Sequence, residues 1–263
     1  MENKQTESRS NKVSSFTIKM GSLIEEIYTA FKAWDFKKEK QENLRLFQEN
    51  NPIGANSESW LKDVASVINR LFQPDDRDRA LVYLAQHRCD LEIWKPLLLW
   101  HMTRDEFLVR DFFINWLYPK YSDGVYFFRN EDLHPYLKEL PKKGVTSGEW
   151  TNYTILRVAR GLTIYAEDFG MLKGSVKKEF LPYHLPEQSF LYLLHAIAEV
   201  KSNATGIIRL PDWKMYLMSP ADVEGEILHL HQFKRLQYEV AGSLGQLTLP
   251  CASAYDYARE MVK

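Results

Sequence analysis

Apolar residues recur three and four positions apart over most of this chain, and the pattern breaks at clusters of Gly, Pro, Asn and Ser. Leu23, Ile24, Ile27, Tyr28 and Phe31 mark a first helix, and Leu44 and Phe47 a second over about 36–48. Asn50-Asn51-Pro52-Ile53-Gly54-Ala55-Asn56 is a dense turn cluster, after which Ser57 is placed to cap a third helix carrying Trp60, Val64, Val67, Ile68 and Leu71. Further helices are predicted over 78–86, 91–100 and 103–116, the last opened by Thr103-Arg104-Asp105-Glu106 at capping-box spacing. A short helix over 130–140 closes at Pro141-Lys142-Lys143-Gly144.

Beyond that break, Thr146-Ser147-Gly148-Glu149 has the same capping-box spacing. It opens a predicted helix with Ile155, Val158, Ala159 and Leu162 on one face and Glu149, Tyr153, Arg157 and Arg160 on the other. Gly161 ends this helix in the pattern, and a short one through Ile164 and Phe169 follows. Lys173-Gly174-Ser175-Val176-Lys177-Lys178 reads as a basic loop. Pro186 opens a strongly apolar helix, Ile207-Ile208-Arg209-Leu210 reads as a short extended piece, and Pro211 to Leu217 as a short helix.

At Ser219-Pro220-Ala221-Asp222 the signals of a helix start coincide: an N-cap serine, proline at the first helical position and an acid in the first turn. Val223, Ile227 and Leu230 keep helical spacing, then Leu236, Tyr238 and Val240 alternate. Ala241-Gly242-Ser243-Leu244-Gly245 supplies turn chemistry, Leu247 and Leu249 alternate again, and a terminal helix spans 254–261. Helix, short strand, helix, helix, hairpin is the element order of a winged helix-turn-helix.

A chain of 263 residues favours two cores over one. The expected architecture is mainly α with a small β component. It comprises a disordered tail over 1–15, an N-terminal helical domain over 16–141 and a C-terminal winged helix-turn-helix domain over 142–263. The second and third helices, joined by a seven-residue turn, are either a helix-turn-helix with Ser59, Lys62, Asp63, Ser66 and Arg70 on its outward face or a plain helical hairpin.

The formal net charge of −1 gives no global attraction to nucleic acid or anionic lipid, so any such surface is local. From Lys142 to Phe180 seven basic residues stand against four acidic ones, which makes this the candidate stretch. Cys89 and Cys251 form no metal or redox spacing and read as reduced thiols. The first fourteen residues lack the apolar core of a signal peptide, and no apolar run is long enough to span a bilayer. A cytoplasmic protein without membrane attachment is expected.

Signatures of catalysis are missing. There is no P-loop, no glycine-rich dinucleotide turn and no His-Glu-x-x-His. His229 and His231 fall on different faces of one helix, and Glu25-Glu26 and Asp75-Asp76 are adjacent and point apart. The pattern predicts a non-enzymatic protein with no cofactor, no metal site and no small-molecule substrate.

Nucleic-acid binding is the better-supported reading. In winged folds the helix before the ribbon enters the major groove. Here that helix carries Asp222, Glu224 and Glu226, and carboxylates are poor company for phosphate. Phosphate contacts are therefore expected from Lys62 and Arg70 and, separately, from Arg157, Arg160, Lys173, Lys177, Lys178, Lys234 and Arg235. Such binding would be backbone-led and weakly sequence-specific. The alternative is a wing that docks another protein.

Several short motifs carry a resemblance. Met20-Gly21-Ser22-Leu23-Ile24-Glu25-Glu26, Asn51-Pro52-Ile53-Gly54 with Ser57, Arg70-Leu71, and Ser253-Ala254-Tyr255 together resemble the BrxA family of the BREX (bacteriophage exclusion) defence systems, over about Phe16 to Glu260. The resemblance implies an accessory double-stranded DNA-binding component of anti-phage defence with a helix-turn-helix and a winged helix, working beside other BREX proteins. The corresponding alternative is an adaptor that docks larger BREX components without touching DNA. One departure stands out: Asn56-Ser57-Glu58-Ser59-Trp60 is less basic than a DNA-reading helix start would be.

Overall fold

The computed structural model describes residues 20–146, 148–201, 203–241 and 244–263, together with Val13 and Ile18. The tail expected over 1–15, Val13 apart, lies outside the described residues, as do Ser147, Ser202 and the Gly242-Ser243 turn centre.

The chain is mainly helical with two small sheets. In the first half run α1 (Ile24–Lys32), α2 (Lys40–Asn50), α3 (Glu58–Leu71), α4 (Arg79–Gln86) and α5 (Leu91–Met102). A continuous helical stretch follows, made of α6 (Phe107–Phe112), a π-helical turn (Phe113–Leu117) and α7 (Tyr118–Ser122). After β1 (Phe127–Phe128) come α8 (His134–Glu139) and α9 (Asn152–Asp168). The second half continues through β2 (Leu172–Lys173), β3 (Lys178–Phe180), α10 (Glu187–Ala198), α11 (Ala204–Ile208), a 3-10 turn (Pro211–Tyr216), α12 (Pro220–Gln232), β4 (Gln237–Ala241), β5 (Leu244–Thr248) and α13 (Ala254–Met261).

Capping chemistry sets several of the boundaries. Ser57 Oγ accepts from the Trp60 N–H at 3.2 Å, and Ser253 Oγ from that of Asp256 at 3.0 Å. Ser219 and Asp222 form a reciprocal box: Ser219 Oγ accepts from the Asp222 N–H at 3.2 Å, and Asp222 Oδ2 from the Ser219 N–H at 2.7 Å. Asn51, in the left-handed region at φ 45°, ends α2 and clamps the following turn through both side-chain atoms to Ala55.

Four expectations about elements are corrected. Ile207–Leu210 is not extended: Asn203 Oδ1 accepts from the Gly206 N–H at 2.6 Å and starts α11 there. Thr103 does not cap a helix, because its hydroxyl donates to the Leu99 and Trp100 carbonyls at the end of α5; the next helix begins at Phe107. Thr146 does not start α9 either; Thr151 does, its Oγ1 accepting from the Thr154 N–H at 3.2 Å. Finally, Gly161 does not end the helix. It lies within α9, where a Cβ would stand 2.5 Å from the Ile18 carbonyl oxygen, so the missing side chain admits Ile18 against the helix.

The buried apolar residues form one cluster that reaches from Ile18 to Ala258. Contacts cross the division expected at residue 141. Helix α13 packs on α4, with Tyr83 and Tyr255 rings 5.6 Å apart edge to face, and α10 packs on α5. Ser189 Oγ donates to the Ile93 carbonyl at 2.7 Å and Tyr216 Oη to that of Pro96 at 2.8 Å. Burial of this apolar surface is the main stabilising term.

Candidate nucleic-acid interface

The basic segment 173–178 is a hairpin rather than a loop. Strand β3 lies between β1 and β2 in an antiparallel sheet, with Phe127 and Lys173 both opposite Glu179, and Phe128 opposite Lys178. Side chains alternate across the pleat, so one face carries Phe127, Glu179 and Lys173. The other face points inward with Phe128, Lys178 and Phe180. Gly174 is required at the hairpin turn: its φ is +104°, and a Cβ there would sit 2.1 Å from the Lys177 carbonyl oxygen.

This alternation separates two neighbouring lysines. Lys178 is only 4% exposed. Its ammonium is ion-paired with Glu167 and donates to the Gly174 carbonyl at 2.7 Å. Lys177 is exposed, with Nζ 4.7 Å from the centroid of the Phe127 ring. Lys173 is exposed and stands 3.7 Å from the Glu179 carboxylate.

Helix α9 continues the surface. Tyr153, Leu156, Arg157 and Arg160 fall on its exposed face at helical spacing, and the Arg157 guanidinium lies 5.8 Å from the Tyr153 ring centroid. Where α9 meets the hairpin, Arg160, Lys173, Ser175, Val176 and the buried Lys178 line a cleft of about 710 Å³ with Glu131 and Glu167 on its walls. The structure therefore brings Arg160, Lys173 and Lys178 to one cleft, with Lys177 on the same hairpin and Arg157 one turn back along α9.

The other expected cations lie elsewhere. Lys62 stands 3.7 Å from Glu58 and helps line a groove of about 490 Å³ between α2 and α3 with Arg45, Ser66 and Asn69. Arg70 Nη2 contacts the buried Glu106 carboxylate at 2.8 Å. Lys234 and Arg235 leave α12 beside a recess of about 370 Å³, and Arg235 Nε lies 3.0 Å from Glu187.

Helix α12 and the β4–β5 ribbon pack as a unit. The Tyr238 hydroxyl donates to Glu224 at 2.7 Å, and the Tyr238 N–H donates to His231 Nδ1 at 3.1 Å. α12 turns Asp222, Leu228 and His229 outward, and Phe233 is exposed just past its end.

Two histidines are internal. His101 Nε2 is 2.8 Å from the Tyr192 hydroxyl, and burial pushes the imidazole down to about 4. His195 Nδ1 pairs with the Leu191 carbonyl at 2.7 Å while Nε2 accepts from the Cys251 N–H at 3.3 Å; burial lowers it too. Among the described residues no three His, Cys, Asp or Glu side chains are placed to hold a metal ion. Nor, among those residues, is any helix long and apolar enough to cross a membrane.

Helical periodicity already set Tyr153 on the outward face with Arg157, but it did not single out the exposed rings of Tyr126 and Phe127. The pairing of Phe127 with Lys177 exists only across the sheet, whereas Tyr153 and Arg157 meet four residues apart along one helix face.

The family model that matches the chain is BrxA, over residues 14–196. It covers α1 to α9, the three-stranded sheet and most of α10, and stops before α12 and the ribbon. No curated protein and no solved structure matches.

Proposed function

The chain belongs to the BrxA family, which carries it into BREX-associated phage defence, and from that premise we propose that it is a non-enzymatic accessory protein that binds double-stranded DNA through its phosphates. One observation carries the reading: Arg157, Arg160, Lys173 and Lys177 are exposed on α9 and the adjoining β2–β3 hairpin, within a chain of net charge −1. Exposed cations along α9 and the hairpin that follows it, in a nearly neutral protein, suit a polyanion. Contacts of this kind position the protein without reading sequence. Lys178 and Arg70 are left out of this surface because each serves a carboxylate inside the fold.

Residues 204–248 are read as a winged helix-turn-helix, with α12 in the recognition position and β4–β5 as the wing. Its outward acids make direct base readout by α12 unfavourable. Leu228, Phe233 and Val240 are exposed on this module, which favours a second use: docking one of the other BREX proteins.

A salt titration of duplex affinity is the test. With four phosphates engaged, log affinity falls against log salt with a slope of about −3.6. Changing Lys173 and Lys177 to Glu abolishes binding at moderate salt while the circular-dichroism melt stays as in the wild type. An unchanged affinity in that variant would sink the reading.

A further inference from the structure

We propose that the outward face of the β1–β3–β2 sheet and α9 takes an unpaired DNA strand, stacking bases on Tyr126, Phe127 and Tyr153. The inference rests on the duplex reading only for its phosphate contacts. Scattered apolar side chains on a surface need no explanation, but these three rings are unusually open, and Phe127 and Tyr153 each stand beside a cation. Tyr126 is 73% exposed, Tyr153 68% and Phe127 47%. Lys177 Nζ stands 4.7 Å from the Phe127 centroid, and Arg157 Cζ 5.8 Å from that of Tyr153. The Tyr126 and Phe127 rings meet at 88° with centroids 6.5 Å apart, so they offer faces in two directions.

An aromatic face with a cation beside it matches the two parts of a nucleotide, a flat base and a phosphate. A fully paired duplex buries its base faces in the stack and offers these rings nothing, whereas an unpaired stretch presents a face at each base. Across the sheet, Phe127, Glu179 and Lys173 stand in register, which puts Phe127 about 10 Å from Lys173 at two strand spacings. Glu179 between them is paired with Lys173 at 3.7 Å. A phosphate reaching Lys173 displaces that carboxylate. Val176, 68% exposed at the hairpin, adds an apolar contact at the same edge.

The experiment measures polarisation of a labelled mixed-sequence single strand, the same sequence as duplex, and that duplex with a central mismatched bubble. Full-length wild type is compared with Tyr126→Ala/Tyr153→Ala and with Tyr126→Phe/Tyr153→Phe. The expected result is bubble affinity above paired-duplex affinity in the wild type, together with at least a tenfold loss of single-strand affinity in the alanine pair. The phenylalanine pair keeps its affinity, since stacking needs the ring and not the hydroxyl. Duplex affinity stays the same in all three proteins. Duplex binding with no bubble preference overturns this inference and leaves the duplex reading standing; the wild-type comparison decides this even if the alanine pair fails to fold. Single-strand affinity that survives ring removal also overturns it and assigns the aromatic face to a protein partner. Single-strand binding without duplex binding supports it and removes the duplex reading. Binding of neither overturns both.

Discussion

Asp78 and His101 are both buried, and Oδ1 of the first lies 2.5 Å from Nδ1 of the second. Burial alone would raise the Asp78 carboxyl, but the hydrogen bond from His101 and the nearby Arg104 hold it below its usual value. The pair is an anionic carboxylate and a neutral imidazole whose Nδ1–H donates to Asp78 and whose Nε2 accepts from Tyr192. It ties the start of α4 to α5 and, through Tyr192, to α10. Asp78→Asn leaves Arg77 and Arg104 facing an uncharged amide and should destabilise the fold by about 3 kcal/mol. A guanidinium titration measures it.

Acid should weaken the fold well above the range of carboxylate titration. Burial holds His101 down to about 4 and lowers His195 as well. An unfolded histidine takes its proton near pH 6.5. Below that pH the unfolded chain binds protons that the folded chain refuses, so stability is complete above about 6.5 and is lost as pH falls toward 4. Melting curves at pH 7 and pH 5 should differ by several degrees, and His101→Gln, though less stable at pH 7, should show a shallower fall.

Gly161→Ala sets two effects against each other. Alanine gains about 1 kcal/mol of helix propensity over glycine. Its Cβ, however, would stand 2.5 Å from the Ile18 oxygen, and forcing an atom into a packed site costs about 1–3 kcal/mol. Crowding against backbone wins, so Tm should fall. A raised Tm would show that the approach of Ile18 to α9 is not needed.

Adjacent lysines should answer differently. Lys178→Ala strips the partner from Glu167 and empties a buried site, lowering stability by about 2 kcal/mol. Lys177→Ala removes an exposed ammonium and should leave Tm unchanged while reducing DNA affinity. Thermal melts and binding isotherms on the two variants separate the roles. Equal Tm losses would contradict the burial of Lys178 and the exposure of Lys177.

Lys234 ends α12 in the left-handed region, at φ 57°, where a side chain costs about 1 kcal/mol and glycine does not. Its N–H donates to the His231 carbonyl at 3.0 Å, a bond that glycine keeps. Lys234→Gly should therefore raise stability by up to about 1 kcal/mol, measured by chemical denaturation. Lost DNA affinity in so stable a variant would add Lys234 to the phosphate contacts.

The sequence by itself determined the helical character, most helix starts, the β4–β5 ribbon and the terminal helix over 254–261. These depend on periodicity and on capping partners within four residues, such as Ser57 with Trp60 and Ser219 with Asp222, so neighbouring positions contain the whole cause. Family membership was legible for the same reason, in short motifs at the starts and ends of helices. The tertiary structure alone decided which cations face water. Lys177 and Lys178 are equal in composition, yet Glu167 eleven residues back claims one of them; Glu106, thirty-six residues on, pairs with Arg70. The need for glycine at position 161 likewise comes from Ile18, more than a hundred residues away in sequence. Burial and pairing are set by partners brought close in folding, and no local pattern records who they are.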